Sequence, residues 1–486
     1  MKQQEKTNGY AHILKYMGVF GSVQGVTIGL GIIRNKLVAV LIGPAGVGII
    51  SLFNSAITLL TNTANMGLGV SGVRNVSEAY EAYEANDARR MAAVVDMLRF
   101  CTFLAGLVGM ALCLLLSMVL SKATFSDGEH MADFMLLSPV VALSCITVGE
   151  TAILKGARML RRLAQLTIVG LAVTILITIP LYYFYRERAI VPSLLVAAVV
   201  QASATVVCSY RAFPLRLNWD MRHVRSGSAM IKLGLAFTLA GILGNGADLF
   251  VRSFLNNAAS LQTVGLYNAG YMLSVVYAST LFSALEADFF PRISAVNQLQ
   301  YTTNVLVNRQ IEVGLLIVGP LLVVFVLALP LLVPLLYSSA FAGVVPMVQV
   351  LSFNIFFRAI SLPLEYIALA KGDSRTYLLL EVVYDVAFVV AVIGGMQLGG
   401  LWGMGLCLSV MGLFNLVLVA CVVQKRFGYR MRRSVFRNIG LQLPWLMLAY
   451  ATTFVHNMSV YCLVGLALVG ISSYLSVGAL RKKTRR

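Results

Sequence analysis

Ionisable side chains inside long apolar runs are the residues of this sequence that could carry chemistry. Asp248 and Arg252 lie four residues apart, one helical turn, and Arg358 stands in an apolar run with no acid within one turn. Glu381 and Asp385 are also four apart, a spacing at which like charges on a helix repel. A charge at the bilayer centre costs roughly 2.5–3.5 kcal/mol on insertion scales, so each of these residues predicts a structural ion pair or a functional site.

Two interpretations stay open for most of these groups. Asp248 with Arg252 is either an ion pair or part of a site. Glu381 and Asp385 are stable only if they are hydrated, paired across helices or partly protonated, and they are candidates for a proton or cation role. Arg358, with Glu365 two turns later on the same helix face, is expected to line a hydrated cavity.

Further polar residues sit on other apolar runs. Arg34 and Lys36 lie at the outer end of the first run, where they either extend to the interface or face a cavity. The remaining candidates are interhelical hydrogen-bonding groups or cavity-lining residues: Asn54, Asn62, Asn268 and Tyr271. Charges from several runs in both halves of the chain predict one central polar cavity.

The elements that position these residues are membrane-spanning helices. The chain has 486 residues, of which 59% are hydrophobic and only 12% charged, whereas a soluble protein has about 25% charged residues. Apolar runs of about 20 residues, the length that crosses a bilayer, recur along the whole sequence. The sequence therefore predicts an all-α integral membrane protein.

The net charge of +18 does not indicate nucleic acid, because the cationic residues fall in the short connections between the apolar runs. Most of the 38 lysines and arginines lie in the N-terminus, the even-numbered connections and the C-terminal tail. The positive-inside rule then places both termini of this multi-pass protein in the cytoplasm. Fourteen spans are predicted, at about 12–33, 46–69, 97–120, 132–153, 163–185, 190–211, 231–254, 265–289, 311–337, 345–369, 376–397, 400–423, 439–456 and 459–480.

An internal repeat organises these spans. The Lys15, Val-Gly, Lys-Gly and Arg74 landmarks of the first half recur about 217 residues later in the second. Because the unit has six spans, the two copies enter the membrane in the same orientation, with a cavity expected between them. The predicted parts are an N-terminal lobe at 1–211, a cytoplasmic linker at 212–230, a C-terminal lobe at 231–424, and two extra helices with a basic tail at 425–486.

Motifs for catalysis are missing from the sequence. The outer connections are short, no phosphate-binding loop sequence occurs, and the four histidines are dispersed without metal-ligand spacing. We expect a protein that is not an enzyme and that needs no cofactor.

Three segments resemble a known family. They are RNKLVAVLIGPAGVGIISLFNS (34–55), NMGLGVSGVR (65–74) and GLYNAGYMLSVVYASTLFSALEADFFPRISAV (265–296). They look like the O-antigen and enterobacterial-common-antigen flippases of the multidrug/oligosaccharidyl-lipid/polysaccharide (MOP) exporter superfamily. The resemblance implies a V-shaped, two-lobed bundle of two parallel six-helix repeats that works by alternating access.

The resemblance also implies a substrate and its partners. The substrate would be an oligosaccharide on undecaprenyl pyrophosphate, moved from the cytoplasmic to the periplasmic leaflet, with H⁺ or Na⁺ as counter-ion and polysaccharide polymerase and chain-length machinery as further partners. Related flippases bind the pyrophosphate through arginines, and related drug exporters bind a cation through acids. By this likeness Arg74 and Arg292 would flank the cytoplasmic entrance in the two halves, and Arg34 would face the cavity. Together with the charges in the apolar runs, the substrate-binding candidates are Arg34, Lys36, Arg74, Arg252, Arg292 and Arg358, and the coupling-ion candidates are Asp248, Glu381 and Asp385. The membrane that the resemblance implies is the bacterial inner membrane.

Three alternatives remain. A cation-coupled multidrug antiporter of the same fold would prefer an acidic, aromatic cavity. A flippase for another lipid, such as the peptidoglycan precursor, would share the cationic one. A membrane glycan polymerase or ligase would need a larger outer loop than this sequence has.

Overall fold

The computed structural model describes residues 2–84, 88–126, 128–214, 222–276, 299–455 and 457–484, with a few positions between 277 and 298. Side chains are described from Val26 onward, except at 82, 84–88, 127, 215–237, 456 and 482–486 and at most positions from 277 to 298. The linker at 212–230, much of the motif at 265–296 and most of the basic tail therefore lie outside the described side chains.

The chain divides into two compact units, residues 1–261 and 262–486. The first unit is helical throughout its described part. Its α-helices are α1 (Lys2–Asn65), α2 (Leu68–Glu84), α3 (Ala88–Phe125), α4 (Met131–Gly156), α5 (Leu160–Tyr185), α6 (Ile190–Ala212) and α7 (Arg222–Ala258). A short 3-10 turn, Arg186–Ala189, joins α5 to α6.

The second unit is also helical where it is described. It contains α8 (Leu261–Tyr271), followed by a π-helical segment at Met272–Val276, then α9 (Gln300–Leu336), α10 (Val345–Ala370), α11 (Ser374–Phe427), α12 (Arg433–Thr452) and α13 (Met458–Thr484). A 3-10 turn at Ser339–Val344 precedes α10. Its core is a continuous apolar cluster between α9, α10, α11 and α12.

Two of the long helices are interrupted at glycine. α1 contains Gly43 at φ 68°, next to Pro44, and α11 contains Gly400 at φ 57°. In α11 the chain reverses there, since the backbone around Gly395 packs directly against that of Gly403 and Met404. The turn coincides with the Leu-Gly-Gly connection predicted between spans 11 and 12. Only glycine adopts such positive φ values without strain.

Eight segments in the described part of the chain are long and apolar enough to cross a membrane, which confirms a multi-pass α-helical membrane protein. Two of them, Leu160–Ala212 and Ser374–Phe427, have 53 and 54 residues, enough for two crossings each at about 20 residues per crossing. Fourteen spans remain a prediction.

By packing, α7 belongs with the first unit, where it contacts α1, α2 and α3. The repeat instead places the corresponding span at the start of the C-terminal lobe. The lobe boundaries predicted at 1–211, 212–230, 231–424 and 425–486 therefore stay a prediction based on the repeat.

Candidate functional site

A small polar cavity lies within the second unit, between α10 and the two arms of α11. Its volume is about 50 Å³, and most of the residues that line it have ionisable, amide or hydroxyl side chains. The lining residues are Asn354, Arg358, Ser361 and Glu365 from α10, and Tyr377, Leu380, Glu381, Tyr384, Gly412 and Asn415 from α11. A space of this size holds a few water molecules, which need roughly 10–15 Å³ each.

Arg358 points into this cavity from the middle of α10. Its guanidinium Nη1 donates a hydrogen bond of 3.3 Å to the hydroxyl of Tyr384 on α11. The charge also interacts with Glu365, Glu381 and Tyr271. The structure thus places Arg358 and Glu365 on one face of α10, as their spacing predicts, and adds partners from α8 and α11.

The carboxylates of the cavity are held by neutral donors as well as by Arg358. Asn415 donates from Nδ2 to Oε1 of Glu365 at 3.1 Å, and Glu381 is hydrogen-bonded to the hydroxyl of Tyr377. Asp385, one turn beyond Glu381, is half-buried and interacts with it electrostatically. Among the described residues, two acids therefore share one arginine, with a third acid close by.

The helix α8, which brings Tyr271 toward Arg358, changes to π-helix at its end. Tyr271 is the last residue of α8, and the π-helical turn begins at Met272. Its ring stacks near that of Tyr267, with centroids 6.1 Å apart. π-Helical turns occur frequently at functional sites, because they re-aim side chains at the cost of regular hydrogen bonding. Asn268 and Tyr271 are half-buried, and both have polar or ring partners.

Asp248 and Arg252 form a bidentate ion pair in the first unit. Arg252 donates from Nε and Nη2 to the two carboxylate oxygens of Asp248, each at 2.9 Å, and Ser55 of α1 donates to Asp248 at 2.7 Å. Only 6% of the Arg252 side chain is exposed, against 25% of Asp248. The structural ion pair is thus formed, and the charge of Arg252 is already compensated.

Arg34 sits differently from the other predicted cations. It is half-buried on α1, its Nε atom is enclosed without a hydrogen-bond partner in the described structure, and it interacts electrostatically with the buried Tyr182 of α5. Lys36, two residues on, is half-buried and has a partner of its own. An arginine nitrogen without a partner is a group that an anionic ligand would satisfy.

The remaining candidates are mostly exposed. Arg74 is exposed and pairs with Glu78, one turn along α2, at 3.0 Å. Arg292 is exposed and has a partner. Asn54 is exposed on α1, and Asn62 is half-buried.

A buried ion pair in the first unit is not predicted from the sequence. Arg99 of α3 donates from Nε to Glu150 of α4 at 3.0 Å, and both side chains are almost fully enclosed. The same guanidinium donates to Ser209 and to the carbonyl of Phe213, and lies 4.0 Å from the ring centroid of Tyr210. Every face of this arginine is occupied, so the group joins α3, α4 and α6.

Glu150 and Glu365 occupy nearly equivalent positions of the repeat, five and six residues before Lys155 and Lys371. In the first unit that acid is closed off by Arg99, whereas in the second it opens onto a water-sized cavity. The sequence contains both acids, and the signal that could have found the pair is this correspondence of a carboxylate with the Lys-Gly landmark.

Comparison with known proteins gives a family and a fold. A family model described as polysaccharide biosynthesis protein matches residues 37–346. No curated protein sequence matches the chain.

Solved structures of similar fold cover most of the chain. An inward-facing multidrug resistance MATE transporter of the MOP superfamily matches with TM-score 0.69 and 14% identity over 82% of this chain and 94% of that one. The lipid II flippase MurJ, in an inward closed conformation, matches with TM-score 0.67 and 12% identity over 96% of this chain and 99% of that one. A MOP superfamily transporter from Pyrococcus furiosus, described as having a binding pocket of reverse polarity, matches with TM-score 0.50 and 11% identity over 85% and 95%.

The match to the family model spans more than half of the chain, and the structural likeness spans nearly all of it. The chain therefore belongs to the polysaccharide biosynthesis protein family, as a multi-pass α-helical membrane protein with the fold of MOP transporters and flippases.

Proposed function

We propose that this protein is a flippase that moves an oligosaccharide linked to undecaprenyl pyrophosphate, such as an O-antigen or related surface-polysaccharide repeat unit, from the cytoplasmic to the periplasmic leaflet by alternating access. Its membrane is the bacterial inner membrane, with both termini in the cytoplasm. Polysaccharide polymerase and chain-length proteins would receive its product.

The observation that carries the proposal is Arg358 in the polar cavity of a polysaccharide-biosynthesis membrane protein. A sugar and diphosphate headgroup cannot cross hydrocarbon unaided, because its polar groups would lose water without replacement. Arginine suits a diphosphate through bidentate, charge-assisted hydrogen bonds. The prenyl tail meanwhile stays in lipid.

The acids around Arg358 couple substrate binding to cation binding. In the cavity Glu365 and Glu381 share this arginine, so an incoming diphosphate competes with two carboxylates for one cation. A carboxylate that loses its arginine is stabilised by taking up H⁺ or Na⁺. Substrate binding and cation binding are thereby coupled in this cavity. The direction of export comes from the membrane potential, which contributes about 2.3 kcal/mol per net anionic charge moved outward per 100 mV.

Arg34 is the candidate phosphate ligand of the first unit. Its Nε has no hydrogen-bond partner in the described structure, whereas Arg252 forms a bidentate ion pair with Asp248. Arg34 therefore ranks above Arg252 as a ligand of the diphosphate. Asp248 serves as a counter-ion site only after its ion pair with Arg252 opens.

A cation-coupled multidrug antiporter is the second candidate, and the same cavity favours it. Glu365, Glu381 and Asp385 outnumber Arg358, and a cationic drug would find three acids near one another. A flippase for the peptidoglycan precursor is a third candidate, since it would handle the same diphosphate-prenyl chemistry with a different sugar.

The test is a gene deletion followed by analysis of lipid-linked glycans. Accumulation of an undecaprenyl-pyrophosphate oligosaccharide with loss of surface glycan, reversed by the wild-type gene, supports the flippase. Arg358→Ala should fail to restore export while the protein still inserts at normal level, and the exposed Arg375→Ala on α11 is the matched control that should restore it.

Other outcomes separate the alternatives. Normal surface glycan together with altered sensitivity to cationic drugs would identify an antiporter. Accumulation of the peptidoglycan precursor would identify that lipid as the substrate. Full export by a normally expressed Arg358→Ala variant would exclude the role assigned to Arg358.

A further inference from the structure

A dense group of exposed arginines lies where α11 ends and α12 begins. Within the segment 428–437 four arginine side chains are exposed, and no carboxylate of the described structure forms an ion pair with any of them. These four residues are called the arginine patch: Arg430, Arg432, Arg433 and Arg437. The neighbouring Arg426 is different, because Asp373 binds it at 2.6 Å.

Hydrogen bonds from α9 hold the backbone that precedes α12, where the arginine patch begins. Asn308 of α9, which is 1% exposed, donates from Nδ2 to the carbonyl of Arg430 at 3.1 Å and accepts the backbone N–H of Arg432 at 2.8 Å. Gln300 donates to the carbonyl of Gly428 at 3.0 Å, and the side chain of Tyr429 is buried. The loop is therefore anchored while its cationic side chains point outward.

The buried acid Glu312 lies beside this segment but is hydrogen-bonded to Ser434 and, in the described structure, not to an arginine of the patch. Glu312 of α9 is 8% exposed and accepts a hydrogen bond from the hydroxyl of Ser434. Together with burial, its charge raises the pKa of Tyr429, whereas Arg432 lowers it. Glu312 thus offsets part of the positive charge beneath the loop and leaves the outward-facing guanidinium groups available.

The exposed side chains of α12 change from cationic to apolar along the helix. They begin with Arg433, Phe436 and Arg437 and become apolar at Met447 and Leu448. The rise of about 1.5 Å per residue puts Met447 about 15 Å beyond Arg437. That distance reaches from the headgroup layer into the hydrocarbon.

We propose that the arginine patch binds the headgroup of an anionic phospholipid, with cardiolipin, which carries two phosphates, preferred over lipids with one. Arginine forks bind phosphate oxygens in pairs, and two forks on the anchored loop with two on the first turns of α12 match more than one phosphate. The proposal rests on the packing of α9, α11 and α12 alone and holds whichever substrate the protein carries.

The experiment measures lipid binding to the purified full-length protein by native mass spectrometry, titrating cardiolipin, phosphatidylglycerol and, as the neutral control, phosphatidylethanolamine. We expect cardiolipin to be retained best. The double variant R433Q/R437Q should bind it about 25-fold more weakly, since each cation near an anionic surface contributes about fivefold. R433K/R437K keeps the charge and should lose about threefold at most. Asn308→Ala, which frees the loop and leaves every charge in place, should also weaken binding.

The matched control is R161Q/R162Q, an exposed arginine pair at the start of α5 that loses the same charge. Equal loss in this control would attribute binding to diffuse charge and overturn a specific site, as would unchanged cardiolipin binding by R433Q/R437Q. Displacement of the lipid by millimolar inorganic pyrophosphate would assign the patch to a soluble phosphate ligand instead. All the arginine positions are exposed, so size-exclusion profiles and helicity should match those of the wild type.

Discussion

Arg358 Nη1 lies 3.3 Å from the hydroxyl oxygen of Tyr384, so the arginine on α10 is aimed by a tyrosine on α11. Tyr384→Phe removes the acceptor and keeps the ring. Hydrogen bonds to charged groups contribute about 1.5–3 kcal/mol, so we expect export to fall about tenfold as Arg358 loses its orientation. The measurement is surface glycan per unit of inserted protein. The exposed Tyr183→Phe serves as control, and wild-type export by Tyr384→Phe would show that the tyrosine does not position Arg358.

A second set of variants should change thermal stability without restoring export. Arg358→Ala leaves Glu365 and Glu381 without their shared cation, and breaking a buried pair in this way costs about 3–5 kcal/mol. Adding Glu365→Gln should recover part of the thermal stability in detergent but none of the export. Recovery of export by the double variant would mean that Arg358 only neutralises Glu365.

The multi-pass α-helical architecture and the polar face of α10 could be predicted from the sequence. Arg358 and Glu365 are seven residues apart on one helix, so their shared face follows from helical periodicity alone. The Leu-Gly-Gly turn in α11 follows from the composition of a short break between two apolar runs.

Contacts between helices could not be predicted in the same way. Tyr384 and Asn415 join the cavity through the packing of α10 against both arms of α11, which no local spacing encodes. Arg99 and Glu150 are 51 positions apart and lie in runs whose periodicity does not reveal which faces meet. Arg74 is an exposed partner of Glu78, because two oppositely charged residues one turn apart satisfy each other on the same helix. Its place at the cytoplasmic entrance stays a prediction.

The buried Arg99–Glu150 pair should be structural. Arg99→Met alone strands Glu150 in an enclosed site, and we expect a loss of about 3–5 kcal/mol. Arg99→Met combined with Glu150→Leu should recover much of that loss, because apolar groups of similar volume often replace a buried pair at little cost. A double-mutant cycle on unfolding in detergent measures the coupling. Additive single and double losses would contradict a direct interaction.

A substitution at Gly395 tests whether the two arms of α11 pack closely at the point where the chain reverses. A Cβ at this position would lie 2.6 Å from the carbonyl oxygen of Gly403 and 2.5 Å from Cα of Met404, both backbone atoms. Gly395→Ala should therefore force the two arms apart and destabilise the second unit by about 1–3 kcal/mol. Gly394→Ala is the matched control, since a Cβ there meets nothing within 4 Å and alanine favours helix by up to about 1 kcal/mol. Equal thermal midpoints for the two variants would exclude the close approach.

Asp373 predicts a pH dependence at the start of α11, just outside the apolar segment. Hydrogen bonds from the hydroxyl and the backbone N–H of Thr376 hold the pKa of this carboxyl below its ordinary value of 3.8, and Arg426 lowers it further. A pKa that is lower in the folded protein adds stability that is fully present above pH 3.8 and is lost as the pH falls through the lowered pKa. The thermal midpoint of the wild type should exceed that of Asp373→Asn at pH 7, and the gap should close as the solution is acidified below pH 3.8. Asparagine still caps a helix, so the comparison isolates the charge. A gap that stays constant or widens on acidification would show that Asp373 is not stabilised as an anion.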